Sequence, residues 1–559
     1  MLLEPPKSNE ATQTKVDPPR QSATVLAGNF PPFRTLAPIV AGLITGLLMG
    51  AMDQTIVATA GPTIISDLGG LSLYAWVFSA YILSQTVAMP VFGKLSDLFG
   101  RKRLFITGLA VFMIGSALSG ASKNIDELIV FRALQGVGSG AFFPIAIAVV
   151  GVVFPPQRRG LAQGIFASIF GIAAVVGPSV GSYIVQAISW RWVFYVNLPL
   201  GIASLALITL GLRESRNNVA KPVLDWKGIS LLAAWVALLI LGFLNGGSTY
   251  PWLSWQEIVT FGASVILFVD FIHTERFAAE PVLPLKLFRN RVISSAATVS
   301  FLRGAAFFSM LSFVPLFVQA GLAGNIADGR NVLNALLIPM IVASVLTGQL
   351  ATKIPYRWPV LVGLIATTIS VYFVAIAGPD ISLTTLMELL AIVGAGIGST
   401  FTSVVLAIQY SAPRSQIGVS SSLSQFMGNL GQAIGLAIFG SYQVNSFKSG
   451  LVGLVSKIPP AYQSQAATFL GNPNLVGQVL SSPTVLAQLI QQYPALQPLL
   501  PSLRNAFAQS IVNIFWLALA ISAITVVASV FMSGSLRQQL STWGKEETAV
   551  KPEVPIGSA

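Results

Sequence analysis

The chain has 559 residues, 54% of them hydrophobic and only 9% charged, with a mean hydropathy of +0.74. No water-soluble fold hides that much apolar surface, so the composition excludes a soluble globular protein and points to many membrane crossings. The net charge of +12 does not indicate a nucleic-acid partner, because Lys and Arg sit mostly in the connections between apolar runs; Cys is absent and His273 is the single histidine, so no metal site, cofactor or catalytic residue is expected.

Residues 1–35 are rich in Pro, Ser, Thr, Gln and charge and read as a disordered cytoplasmic tail. With no signal peptide before it, the first apolar run is expected to stay as an anchor. Apolar runs then follow near 36–60, 72–92, 103–121, 128–153, 161–188, 193–212, 228–244, 257–273, 292–319, 332–351, 359–377, 384–409, 417–441 and 509–533. Each approaches the roughly 20 residues that carry a helix across a bilayer, which predicts an all-α polytopic protein with about 14 transmembrane helices. The runs divide into a six-helix bundle over 36–212, two extra helices with polar linkers over 213–291, and a second six-helix bundle over 292–535, followed by a cytoplasmic tail at 536–559. Within the second bundle, 442–508 is a long outward loop whose amphipathic runs Leu475–Leu480 and Val485–Gln492 are punctuated by prolines; it reads as a packed cap, with a substrate lid as the other possibility.

The distribution of positive charge orients the chain. With both termini cytoplasmic, the outward segments hold only Lys123, Arg191, Arg330, Lys448, Lys457 and Arg504 of the 32 Lys and Arg, and Arg132 and Arg303 fall inside helices. The remainder lie on the inward side, as the positive-inside rule requires of an even number of spans in a plasma-membrane protein.

The densest charged turn is Gly93-Lys94-Leu95-Ser96-Asp97-Leu98-Phe99-Gly100-Arg101-Lys102-Arg103, between the second and third runs. Its glycines are expected to allow a tight turn, and Asp97 to cap a helix or pair with the arginines. A weaker echo, Gly348-Gln349-Leu350-Ala351-Thr352-Lys353-Ile354-Pro355-Tyr356-Arg357, follows the second run of the second half, as in duplicated transporter halves. Four charges lie within spans: Asp53, Arg132, Arg303 and Glu388. Asp53 and Arg132 stand at similar depth, about seven and about five residues from the outer ends of their helices at ~1.5 Å per residue. A lone charge there costs at least ~2.5–3.5 kcal/mol, so pairing or a watery cavity is expected. Structural salt bridges are one reading and proton coupling through Asp53 and Arg132 the other, with Gln54, Arg303 and Glu388 expected to line a substrate cavity. In the fifth span, Gly177 and Gly181 lie four apart on one helical face with Pro178 between them, a seam for close helix approach and a kink.

Taken together these segments resemble the major facilitator superfamily, in particular its fourteen-span drug:proton antiporters. The 93–103 turn resembles the loop between helices two and three. Met52-Asp53-Gln54-Thr55-Ile56-Val57 with Gly61-Pro62-Thr63-Ile64 is similar to the first-helix motif, Arg132-Ala133-Leu134-Gln135-Gly136-Val137-Gly138-Ser139-Gly140 to the fourth-helix motif, and Gly171 with Gly177-Pro178-Ser179-Val180-Gly181-Ser182 to the fifth-helix antiporter signature. Trp190-Arg191-Trp192-Val193-Phe194-Tyr195-Val196-Asn197-Leu198-Pro199-Leu200-Gly201 resembles the start of helix six. Three departures stand out: Ser182 replaces the signature's last glycine, no acid falls between Glu127 and Glu214 to serve the helix-four end of the cytoplasmic relay, and Gly428 stands where relatives often carry arginine. The resemblance implies two six-helix bundles rocking about a central site, a cytoplasmic gate made by Gly93, Asp97, Gly100, Arg101 and Arg103, and a rocking seam at Gly171, Gly177, Pro178 and Gly181. It implies export of small amphipathic compounds in exchange for protons, with the lipid bilayer, the substrate and protons as partners and no nucleic acid or obligate protein partner. Export of lipid-like compounds on the same scaffold, import, and a membrane receptor without transport are the alternatives.

Overall fold

The computed structural model describes residues 33–532, apart from 70–72, 155, 213–223, 248–249, 352, 414–415 and most of 456–498. All but 33–35 of the expected tail at 1–35, the whole of the expected tail at 536–559, and residues 213–223 of the linker after the sixth span lie outside the described residues.

Among the described residues, fourteen helices form the framework: α1 Phe33–Leu68, α2 Tyr74–Phe99, α3 Arg101–Ala121, α4 Ile125–Gly151, α5 Pro156–Ala187, α6 Trp192–Gly211, α7 Trp226–Asn245, α8 Trp255–Phe277, α9 Arg291–Leu316, α10 Ile326–Leu350, α11 Arg357–Ala377, α12 Leu383–Ser411, α13 Ile417–Val455 and α14 Leu500–Val530. Thirteen are long and apolar enough to cross a membrane. The other, α13, has 39 residues but interleaves Ser, Gly, Gln and Asn with its apolar positions. Polar caps set several starts: the side chains of Asn124, Ser254 and Ser382 each accept an N–H from the first turn, and Asn325 with Asp328 forms a reciprocal capping box. Prolines 90, 178, 315 and 339 lie inside helices, each removing one ladder hydrogen bond.

Helices α1–α6 enclose one core, around Phe105, Phe112 and Phe142, and α9–α14 another, around Phe317, Phe439 and Phe515. Lipid offers no hydrophobic force between helices, so association rests on close packing of small residues. In α4, Gly138 lies against the backbone of Phe112 and Gly108 in α3, while Gly136 lies against Tyr81 and Ser84 in α2. The two halves meet along two helix pairs, α2 with α13 and α5 with α10. The extra helices α7 and α8 pair with each other, and α7 covers the α2–α13 seam from outside, with Leu232, Trp235, Val236 and Ile240 packed in one cluster with Phe426 and Leu430.

Both boundaries of the outward 442–508 loop differ from expectation. Helix α13 continues through Val455 and α14 begins at Leu500, so the two helices project past the predicted spans. Of the amphipathic runs between them, Val476, Leu480 and Leu486 are buried in the core of the second half with Phe447, Leu503 and Phe507; most of the loop lies outside the described residues.

Candidate functional site: a buried ion pair beside a central cavity

The deepest polar feature is an ion pair. Arg132 Nη1 lies 2.5 Å from Asp53 Oδ2, and both side chains are fully buried. Arg132 also donates from Nη1 to Gln135 Oε1 at 2.7 Å and from Nε to the Val77 carbonyl at 3.3 Å. Its guanidinium lies 4.1 Å from the centre of the Tyr81 ring, a desolvated cation–π contact. The other carboxylate oxygen, Oδ1, accepts from Gln135 Nε2 at 2.8 Å and Asn197 Nδ2 at 3.1 Å. Both amides also donate to Ser116 Oγ at 3.1 Å, and Ser116 donates on to the Phe194 carbonyl. Helices α1, α4 and α6 therefore converge on one carboxylate, with Val77 of α2 and Ser116 of α3 holding its partners. Removing one partner of such a buried pair strands a charge, a loss of about 3–5 kcal/mol.

This cluster connects to the middle of the protein. Tyr81 donates its hydroxyl to Ser139 Oγ at 2.7 Å, Gln85 Nε2 donates to the same oxygen at 2.8 Å, and Gln54 Nε2 donates to Gln85 Oε1 at 3.3 Å. Gln54, Gln85 and Ser139 line a cavity of about 100 Å³ between the halves. Phe143, Phe170, Phe307 and Met340 supply its apolar wall, and Gln425, Asn429 and Gln432 of α13 face it from the second half. Asp53 is thus next to the cavity rather than in its wall, one residue from Gln54.

The other two intramembrane charges part company. Arg303 is buried and lines a second pocket of about 50 Å³, which shares Phe170, Phe307, Phe308, Met340, Gln425 and Asn429 with the first. Glu388 does not line either cavity: it is exposed, correcting the expectation that it would. Leu386, Leu390 and Val393 form the buried stripe of α12, and Glu388 lies roughly 200° around the helix from Leu386 at 3.6 residues per turn.

On the face bearing the 93–103 turn, called here the basic face, the motif residues divide their tasks. Helix α2 runs through Phe99, so Gly93 is helical and makes no turn. Its role is close approach: a Cβ there would lie 2.6 Å from Ser422 Oγ and 2.9 Å from the Gly418 carbonyl, both in α13. The turn itself is Gly100, whose φ of 97° belongs to glycine. Asp97 accepts the backbone N–H of Gly418 at 3.0 Å and of Val419 at 3.1 Å, capping the first turn of α13 in the opposite half, and pairs with Arg101 at 3.4 Å. Arg103 is exposed. Lys94 reaches Glu280, beyond α8, at 2.5 Å. On the other seam, Gln163 in α5 donates to Gln409 in α12 at 3.2 Å, and Gln409 donates to the Ile147 carbonyl and to Ser421. These contacts hold the halves together on the basic face.

The glycine signature of α5 also resolves into two faces. Gly171 packs on Ile341 and Met340 of α10, whereas Gly177 and Gly181 pack on Thr55 and Thr59 of α1. The Gly177-Pro178-Gly181 seam is therefore internal to the first half, not the contact on which the halves meet, which corrects the sequence expectation. The inter-half contact uses Gly160 against the Gly348 carbonyl and Gly164 against Ser344, with Gly171 further along; at 3.6 residues per turn that stripe is roughly 100° from the other. Gln135 and Asn197, which hold Asp53, were not singled out from the sequence, although both stood inside quoted motifs. Their signal was an amide side chain in an apolar run.

Comparison with known proteins agrees with this geometry. Residues 43–436 match the model of the Major Facilitator Superfamily. The chain is 34% identical over 509 residues to the multidrug transporter protein MdtP of Bacillus subtilis (strain 168), covering 89% of this chain and 93% of that one. It is 35% identical over 494 residues to multidrug resistance protein 3 of the same organism, covering 88% and 94%. Among solved structures, the proton:xylose symporter XylE aligns with a TM-score of 0.57 at 12% identity over 91% of this chain and 99% of its own. The human organic anion transporter MFSD10 aligns with a TM-score of 0.55 at 15% identity over 88% and 100%, so both share the fold. The chain is a multi-pass membrane protein of the Major Facilitator Superfamily.

Proposed function

We propose that the protein exports small amphipathic compounds from the cell in exchange for protons, by alternating access across the plasma membrane with both termini cytoplasmic. The family match and the two multidrug relatives support export, and the concentration of Lys and Arg on the basic face supports its cytoplasmic orientation. The cavity supports the cargo class: aromatic and Met walls accept varied apolar bodies, and amides and hydroxyls, among them Gln54, Gln85, Ser139, Gln425, Asn429 and Gln432, offer adaptable hydrogen bonds. No cofactor is invoked, and the protein acts as a carrier rather than an enzyme.

The observation that carries the coupling is the Asp53–Arg132 pair and its link to the cavity. A proton on Asp53 converts an acceptor-only carboxylate into an acid with a donor and cancels its attraction for Arg132. The three donors that converge on Asp53 then face a neutral group, and the α1–α4 contact loosens. Through the guanidinium on Tyr81, that change reaches Ser139, Gln85 and Gln54, where cargo binds. Protonation from outside thereby favours cargo release, and proton loss to the cytoplasm resets the pair. The drive amounts to ~2.3 kcal/mol per proton per 100 mV and ~1.36 kcal/mol per pH unit. Gradient-driven accumulation of a fluorescent amphipath in inside-out vesicles tests the proposal; accumulation that persists after an uncoupler collapses the proton gradient contradicts it.

A second reading, export of lipid-like compounds, is favoured by a side pocket of about 410 Å³ between α2, α7 and α13 that shares Ile82 and Gln432 with the central cavity. Movement of a labelled lipid between leaflets of proteoliposomes separates the two readings.

A further inference from the structure

Arg303 is the only charged side chain among the residues lining the central cavity and its adjoining pocket. It is 8% exposed, and its Nε and Nη1 have no hydrogen-bond partner among the described residues. No carboxylate pairs with it there. Its guanidinium stands 4.4 Å from the Phe401 ring centre, which holds the plane of the group but leaves its N–H edges free. The contrast with Arg132 is direct: that arginine is equally deep and has a carboxylate, an amide and a carbonyl around it. Gly428 keeps the space in front of Arg303 open: a Cβ there would come within 3.9 Å of its Nη2, while Gly304 sits against the Gly428 backbone and lets the two helices approach closely.

A buried cation without a counter-ion and with unused donors is costly, and the field it projects into an apolar pocket is weakly screened. The group that satisfies both deficits is an oxyanion, for which a planar guanidinium offers several parallel donors. The flanking surfaces, Phe170, Phe307, Phe308 and Met340, are apolar and belong to both pockets.

We propose that Arg303 holds the carboxylate of the cargo, so that the central cavity selects amphipathic compounds with an anionic end whose apolar body lies between Phe170, Phe307 and Phe308. The proposal rests on the export reading and narrows its substrate class.

The test titrates the purified full-length protein in detergent with three probes of equal bulk: pyrenebutyrate, pyrenebutanol and pyrenebutyl-trimethylammonium. The acid is expected to bind about tenfold or more tighter than the alcohol, the scale of one hydrogen bond to a charged group, with the ammonium weakest. Arg303→Gln should bring the acid-to-alcohol ratio close to one, and Arg303→Lys, which keeps the charge, should retain most of the preference and controls for folding. A ratio near one in the unaltered protein, or a ratio that Arg303→Gln leaves unchanged, overturns the proposal. Loss of the acid preference on adding phosphatidylglycerol would assign Arg303 to a lipid headgroup and also overturn it. Binding is read without a gradient, so the export reading is tested separately: gradient-driven flux of the alcohol with no acid preference sinks only the anion site, and acid preference without gradient-driven flux sinks only export.

Discussion

Asp53→Asn combined with a change at Arg132 separates a coupling role from a structural one. In the native protein the Asp53 carboxylate accepts from Arg132 Nη1, Gln135 Nε2 and Asn197 Nδ2. An Asn side chain offers one acceptor oxygen and turns its NH2 toward a donor, leaving the Arg132 charge uncompensated. The expected loss of stability is about 3–5 kcal/mol, or roughly two to four orders of magnitude in the folding equilibrium. Adding Arg132→Gln removes the stranded charge, and because replacing both members of a buried pair is often neutral, most of that loss should return. Thermal unfolding in detergent reads the stability, and gradient-driven uptake into inside-out vesicles reads the function. The account expects the double variant to be nearly as stable as the parent and unable to concentrate cargo against a gradient. A double variant that regains both stability and proton-driven transport would show that the pair is only a structural bridge, and the coupling argument would fall.

Asp97→Ala removes the acceptor from the Gly418 and Val419 N–H groups and should weaken closure of the basic face by about 1 kcal/mol, the usual worth of a helix cap; crosslinking of cysteines introduced at the adjoining ends of α2 and α13 should drop, which the absence of native cysteine makes easy to read. Gly164→Val places a side chain against the Ser344 carbonyl, 2.5 Å from the Cβ position, and should hold the halves apart there, so that a cysteine at Ala167 becomes reactive to an impermeant reagent from the cytoplasmic side; unchanged reactivity contradicts the inter-half role of that stripe. Glu388→Gln, at an exposed position away from both cavities, should shift stability by less than about 0.5 kcal/mol and leave transport rates as they are. Glu280→Gln loosens the Lys94 contact, which is partly exposed, and should change stability by at most about 1 kcal/mol.

Helices were legible because long apolar runs separated by charged turns mean the same thing in any bilayer protein. Helix α13 shows the limit of that signal. Its Ser421, Ser422 and Asn429 are buried and its Gln425 half-buried, toward the other half or the cavity, so its polarity reports what it packs against rather than its location. Depth led the sequence to expect either pairing or a watery cavity at Asp53 and Arg132, and the structure has them paired. Depth says nothing about direction around a helix, and two expectations failed there. Glu388 lies opposite the buried stripe of α12, and Gly177 and Gly181 face α1 while Gly160 and Gly164 face α10. With every face of these helices apolar, no amphipathic pattern marked which side was which. Gln135 and Asn197 were hidden for the same reason: their amides were visible, but the convergence of α1, α4 and α6 on one carboxylate is a property of the packing. Gly93 read as a turn residue because the charges around it mark a loop, yet the helix continues and the glycine serves the contact with α13.

The most direct test of proton-coupled export places the purified protein in liposomes loaded with a pH-reporting dye and imposes a gradient of an amphipathic cargo with no initial proton gradient. The account predicts that cargo running down its gradient drives protons the opposite way, that the signal saturates with cargo, and that it vanishes in the Asp53→Asn/Arg132→Gln protein. Cargo flux with no accompanying proton movement, at the same rate in both proteins, would contradict it.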